Sequence, residues 1–191
     1  MLEGVFMKHV LIGSIVLGAA LLAFPFSSGT AQAKVKKLPT VTTYSPSYNK
    51  VKFNYTSRST KSFSVTKAFP DNNDNVKMKL TKLAYYKLKP KHNKRILVRA
   101  YFHITTTKAD QLGIFSYDFY NKPYLNTSNG NRLYQSGMKE LYGSIQMNGK
   151  DVANTHVDFL SSKVIPFANF NSGEIHFNFE FDTDLNEFPF S

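Results

Sequence analysis

Cysteine and tryptophan are absent from this 191-residue sequence, and its 13 Asp and Glu are outnumbered by 24 Lys and Arg, a formal net charge of +11. The lack of cysteine excludes a disulfide scaffold, thiolate catalysis, Cys-ligated zinc, iron–sulfur clusters and a lipid-modified N-terminal cysteine. The lack of tryptophan removes the side chain best suited to a broad sugar platform. Beyond residue 33 no segment carries a sustained 3.6-residue apolar stripe with caps, so long helices are not expected, and no internal repeat is visible. What is present is 42% hydrophobic and 15% aromatic, enough apolar material to bury a core.

Val10 to Phe24 form an uncharged apolar run preceded by Lys8 and His9 and followed by Pro25, small residues and Ala31-Gln32-Ala33. About 15 apolar residues suit the central region of a signal peptide and fall short of the ~20 needed to span a bilayer. Cleavage is expected after Ala33, leaving residues 34–191 as one domain. Met7-Lys8 is the better start for such a segment, because Glu3 places an acid where a base is usual. An exported chain without cysteine fits a Gram-positive bacterium, and a secreted, cell-surface location is expected.

Charge is unevenly distributed. Residues 34–110 hold 18 Lys and Arg against 3 Asp, whereas residues 111–191 hold 5 against 9 Asp and Glu. The densest group is Lys77, Lys79, Lys82, Lys87, Lys89, Lys91, Lys94 and Arg95, with Arg99 just beyond. One reading is attraction to a cell-wall polyanion such as teichoic acid, or to an anionic membrane surface; the other is a solvated strand face that keeps the protein soluble. Nucleic acid is not expected as a partner, because the chain reads as exported and its basic residues alternate with apolar ones as in a strand.

Lys34 to Phe69 reads as a basic Ser/Thr-rich linker with room for one strand, and Pro70 to Asn75 as a turn. Val76, Met78 and Leu80 alternate with Lys77, Lys79 and Thr81. After a polar connection over Lys89 to Lys94, Ile96, Val98, Ala100, Phe102 and Ile104 occupy one face of a strand long enough to be central. Leu112 to Tyr120 is strand-capable and Leu125 to Gly137 reads as an extended loop. Leu141 to Met147 precedes an Asn148-Gly149 hairpin signal, and Val152 to Leu160 offers a further strand. In Glu174 to Asp182, Ile175, Phe177, Phe179 and Phe181 share a core face while Glu174, His176, Asn178, Glu180 and Asp182 share a wet one. About seven short strands separated by turns indicate an all-β antiparallel sandwich over residues 70–191.

The strands VKMKLTKLAYY (76–86) and RILVRAYFHIT (95–105) and the final EIHFNFEFD (174–182), behind a signal peptide and a Ser/Thr/Lys-rich linker, resemble immunoglobulin-like domains of unknown function in secreted Gram-positive proteins. The resemblance covers residues 76–184 and departs from the many lipoprotein members in lacking a lipidated cysteine. It implies an extracellular, non-catalytic β-sandwich and assigns no functional residues.

Catalytic constellations are weak. Gly143-Ser144 with His156 and Asp158 lacks a nucleophile-elbow pattern, and His103, His156 and His176 lack metal-ligand spacing. Asp71 and Asp74 do not match a calcium loop, so no cofactor or metal is expected. Glu174, Glu180, Asp182 and Asp184 cluster, and cross-strand pairing of Glu180 and Asp182 with Lys77, Lys79 or Arg99 explains them without a glycosidase. Tyr85, Tyr86, Tyr117, Tyr120, Tyr124, Tyr134 and Tyr142 are candidates for a binding patch, and residues 120–137 for a recognition loop that a protein partner would use. The expectation is therefore a non-enzymatic, envelope-associated binding module. The alternatives are a secreted hydrolase or inhibitor with an unidentified site, or a subunit of an extracellular assembly.

Overall fold

The structure, a computed structural model, describes residues 37–44, 49–69, 76–105, 112–113, 122–136, 144–145, 152–177 and 185–191. The signal-like segment, the turn at 70–75, the Asn148-Gly149 signal and the acids Glu180, Asp182 and Asp184 lie outside them. In chain order the strands are β1 (Thr40–Tyr44), β2 (Lys50–Phe69), β3 (Val76–Lys91), β4 (Lys94–Thr105), β5 (Leu112–Gly113), β6 (Tyr124–Thr127), β7 (Arg132–Gln135), β8 (Ser144–Ile145), β9 (Val152–Ser161), β10 (Gly173–Phe177) and β11 (Asn186–Phe190). Nine form one antiparallel sheet in the order β1-β2-β3-β4-β9-β7-β6-β10-β11, and β5 pairs with β8. Among the described residues the helical element is a four-residue 3-10 turn at Phe167–Phe170, after Pro166. The expected all-β antiparallel fold is what forms.

The two walls of the sandwich belong to one curled sheet. Period-2 alternation sends Val76, Met78 and Leu80 of β3 and Ile96, Val98, Ala100, Phe102 and Ile104 of β4 to the inner face. There they meet Leu125, Leu133, Phe159, Phe177 and Phe188. Edge-on aromatic pairs bridge the walls: Phe63 with Phe190, Phe69 with Phe177 and Phe102 with Phe188, at centroid separations of 5.4–5.5 Å. The ends of the sheet are brought together by side chains, with Lys67 Nζ donating to the Glu187 carbonyl at 2.6 Å and Lys61 Nζ to the Asn171 carbonyl at 3.0 Å.

A second, smaller core lies on the outer face. β2 is too long to stay in one wall, and its register against β3 shifts between Tyr55 and Ser57 and again between Ser62 and Val65. The first shift adds a residue to β2, bends it and exchanges the faces of its side chains, whereas the second falls where β3 carries its own extra residue between Leu80 and Lys82 and leaves the alternation of β2 in step. Thus Phe63, Val65 and Phe69 join the main core, while Val51, Phe53 and Tyr55, of the same parity, pack with Val41, Tyr86, Leu88 and Leu97 on the outer face. The β1–β2 hairpin therefore folds back across the sheet.

Four sequence expectations are corrected. The stretch read as a linker carries β1 and the 20-residue β2, whose Ser- and Thr-rich alternation is half-buried on one side rather than apolar. Leu125 to Gly137 is not a loop up to Ser136: β6 and β7 pair as a hairpin in which Leu125 and Leu133 are fully buried. His176 is not on a wet face but buried, stacked on Tyr124 at 4.3 Å with its Nε2 3.2 Å from Glu174 Oε2, while Glu174 is exposed. Lys89 to Lys91 extend β3, so the connection shrinks to His92-Asn93, both at positive φ (48° and 57°), the signature of a two-residue hairpin turn.

Two predictions follow from this packing. A Cβ on Gly173 would stand 2.2 Å from the Asn126 carbonyl oxygen and 3.0 Å from the Phe190 ring. Gly173→Ala is expected to cost about 1–3 kcal/mol by urea unfolding; an unchanged midpoint would contradict the close β6–β10 approach. Tyr85 donates its hydroxyl to the Ile165 carbonyl at 2.9 Å, and burial raises its pKa above 10.0. The phenol is neutral in both states at lower pH, and above ~10 the unfolded chain ionises first, so stability falls as pH rises. Denaturation from pH ~9 to ~11 should show a shallower decline for Tyr85→Phe than for the parent.

Candidate functional site

The outer face holds an ion pair between a buried carboxylate and a partly buried guanidinium that positions the hairpin. Arg99 on β4 stands opposite Asp158 on β9, with Nε and Nη2 donating to the two carboxylate oxygens at 2.7 and 2.8 Å. Arg99 Nη2 also donates to the Thr42 carbonyl of β1 at 2.7 Å. Burial opposes the guanidinium charge, but hydrogen bonding to and attraction by Asp158 outweigh it and raise its pKa above the ordinary range. Further along, Thr43 Oγ1 donates to Ser136 Oγ at 3.1 Å, and the Ser136 hydroxyl donates to the Tyr44 carbonyl. The backbone N–H of Ser136 in turn donates to the Asp158 carbonyl at 2.7 Å. β1 is thus tied to β4, β9 and the end of β7.

Between this hairpin and the ends of β7 and β9 lies a cleft of about 1050 Å³. Five basic side chains line it: His92 and Lys94 at the β3–β4 turn, Lys122 before β6, Arg132 on β7 and Lys163 after β9. Among the described residues no carboxylate lines it. Its floor and walls mix Val51, Phe53, Leu160 and Ile165 with the hydroxyls of Thr43, Ser136, Ser161 and Ser162 and the amides of Asn131 and Gln135; Tyr44, Gly130 and Tyr134 complete the lining.

Local chemistry fixes the rim. Buried Thr127 organises the β6–β7 turn, its hydroxyl donating to Asn129 Oδ1 at 2.9 Å and accepting from the Asn131 N–H at 3.1 Å. Gly130 closes that turn at φ 78°, with its N–H donating to the Thr127 carbonyl at 2.9 Å. Ser161 Oγ accepts from the Lys163 N–H at 3.0 Å, turning the chain out of β9. Such pre-formed, mixed polar and apolar clefts are the usual form of small-ligand and polymer-segment sites.

Of the basic residues singled out in the sequence, Lys94 alone lines the cleft. Lys77, Lys79 and Lys82 run along the outer side of β3, beside Thr105, His103 and Tyr101 of β4, with Lys82 Nζ 4.3 Å from the Tyr101 ring centroid. Lys87, Lys89, Lys91 and Arg95 are exposed toward the other end, where Lys91 Nζ donates to the Lys52 carbonyl at 3.1 Å. Lys77 and Lys91 are 14 positions apart on one strand, roughly 45 Å, so the eight do not converge. His92 sits within the basic run between Lys91 and Lys94, whereas Lys122, Arg132 and Lys163 are isolated in sequence, and no motif marks them.

The other constellations come apart. Arg99 pairs with Asp158, Glu180 and Asp182 lie outside the described residues, and Glu174 lies opposite Asn126 and Pro189, not beside a basic strand. His156 shares a strand face with Asp158, whose carboxylate is held by Arg99, and His103 Nδ1 is 2.9 Å from Asn154 Oδ1. His176 is on β10, three sheet positions from β9, roughly 14 Å. Among the described residues no group of three His, Asp or Glu is placed to hold a metal. Of the tyrosines singled out, Tyr117, Tyr120 and Tyr142 lie outside the described residues, Tyr85 and Tyr86 are buried on opposite faces, and Tyr134 is exposed.

Removing one member of the Arg99–Asp158 pair should strand a buried charge and release β1. Arg99→Met is expected to cost about 3–5 kcal/mol, and the double variant Arg99→Met/Asp158→Leu to recover most of that. Equal losses for the single and double variants in urea unfolding would show that the pair does not act as a unit.

No family model matches the chain, and neither a curated protein nor a solved structure shows significant similarity to it.

Proposed function

We propose that this protein is an exported, non-catalytic β-sandwich that associates with the bacterial cell envelope by holding an anionic polymer in the cleft between the β1–β2 hairpin and the ends of β7 and β9. The observation that carries this reading is the cleft lining: five basic side chains, several hydroxyls and amides, and no carboxylate among the described residues. Cations gathered around a partly enclosed, low-dielectric surface reinforce one another's field on a bound anion more than cations spread along an exposed strand. The N-terminal pattern of base, apolar run and Ala31-Gln32-Ala33 supports export, as does the resemblance to secreted immunoglobulin-like domains. Among the described residues no helix is long and apolar enough to cross a membrane. The row of Lys77, Lys79 and Lys82 supplies long-range attraction rather than the site itself.

Co-sedimentation of the protein with cell walls, with and without teichoic acid, across a salt series tests this reading. Binding should require the polyanion and weaken steeply with salt. Lys94→Gln/Lys122→Gln/Lys163→Gln should weaken it about tenfold or more, equivalent to at least ~1.4 kcal/mol, and Lys77→Gln/Lys79→Gln/Lys82→Gln by less. Failure to bind at low salt, or binding indifferent to the cleft variant, would refute it.

A further inference from the structure

A row of side chains crosses the outer face perpendicular to the strands: Leu97, Leu160, Tyr134, Tyr124 and His176 stand opposite one another in register. Tyr124 is occupied on both sides. The Arg132 guanidinium lies 3.9 Å from its ring centroid and the His176 ring 4.3 Å from it at 21°, and two groups so close to one centroid must take opposite faces. Tyr134 is different. Its ring meets Tyr124 edge-on at 6.3 Å and 66°, yet it is 51% exposed, and among the described residues it is the one exposed Tyr or Phe. It also lines the cleft, next to Arg132.

Leaving a tyrosine ring in water where its sheet neighbours are covered is informative. Edge bracing by Tyr124 limits its rotamers, so little ordering entropy would be lost when a ligand covers the ring. We propose that Tyr134 is a stacking platform and that the cleft takes an anionic glycan, a polymer of saturated sugar rings bearing phosphate or carboxylate groups. The C–H face of a sugar ring would lie on Tyr134, the anionic groups would meet Arg132, Lys163 and Lys122, and the ring hydroxyls would meet the Ser, Thr, Asn and Gln side chains of the lining. The missing tryptophan platform is thus supplied by a braced tyrosine. A ring-free polyphosphate would leave Tyr134 without a role. Single-stranded nucleic acid is bound by several stacking faces in series, and one exposed Tyr or Phe ring is what the described cleft offers.

This inference rests on the anion-binding reading, and the experiment separates the two. Titration calorimetry would compare four probes at matched charge concentration: an oligogalacturonate, a phosphorylated dextran, inorganic polyphosphate and oligo-dT. Each would be run with the parent, Tyr134→Ala and Tyr134→Phe. The proposal expects at least one of the two charged sugar polymers to bind about tenfold more tightly than polyphosphate. It also expects Tyr134→Ala to abolish that advantage and Tyr134→Phe to retain it, with polyphosphate affinity unaltered by either. Polyphosphate binding as well as both sugar polymers, with Tyr134→Ala neutral throughout, would overturn the platform while leaving the anion site standing. Oligo-dT binding best and depending on Tyr134 would overturn the glycan assignment. Absence of binding to all four would overturn both readings.

Discussion

The outer architecture depends on one guanidinium. Arg99 is held by both oxygens of Asp158 and gives the second hydrogen of its Nη2 to the backbone of β1. Two charges removed from water are tolerated only when their hydrogen bonds are nearly all satisfied, and here the third acceptor comes from a strand at the far edge of the sheet order. The hairpin is thereby fastened across β4, and the second apolar cluster around Phe53, Tyr86 and Leu97 is sealed beneath it. Without that fastening the cleft would lose the wall that carries Thr43, Tyr44, Val51 and Phe53.

The fold was legible where one side chain in two is strongly apolar. In β4 the alternation of Ile96, Val98, Ala100, Phe102 and Ile104 states its own inner face, and the buried set agrees residue by residue. β6 and β7 are four residues long, with Leu125 and Leu133 as their fully buried apolar anchors among Asn, Thr, Gln and Arg, so local composition resembles a loop. β2 hides for another reason. The register shift between Tyr55 and Ser57 exchanges its faces part-way along, so no single period describes it, and Ser and Thr fill its half-buried side. His176 was placed by alternation on the correct face, but that face is locally covered by Tyr124, a fact of register between strands far apart in the chain.

The site was harder to read than the fold, because charge density along the chain is a poor guide to charge density in space. The basic run over β3 and β4 is stretched along an extended backbone, which spaces most of its members two or more residues' rise apart. The acidic second half, with 5 basic residues in all, places three of them at the cleft: Lys122, Arg132 and Lys163. Each enters from a turn or a short strand flanked by polar residues. Only the pairing of β7 with β9 and the fold-back of β1 bring them together with His92 and Lys94.

The seam where Lys61 and Lys67 reach the carbonyls of Asn171 and Glu187 has a bearing on solubility as well as on shape. A sheet that curls without joining its ends keeps two edges, and an edge with free acceptors is a template on which a second chain can add. Two ammonium groups seated on backbone oxygens at and beside β11 occupy acceptors there and surround them with positive charge. The same net charge of +11 that would draw the protein to an anionic polymer therefore also sets copies of it against one another at their most adhesive border.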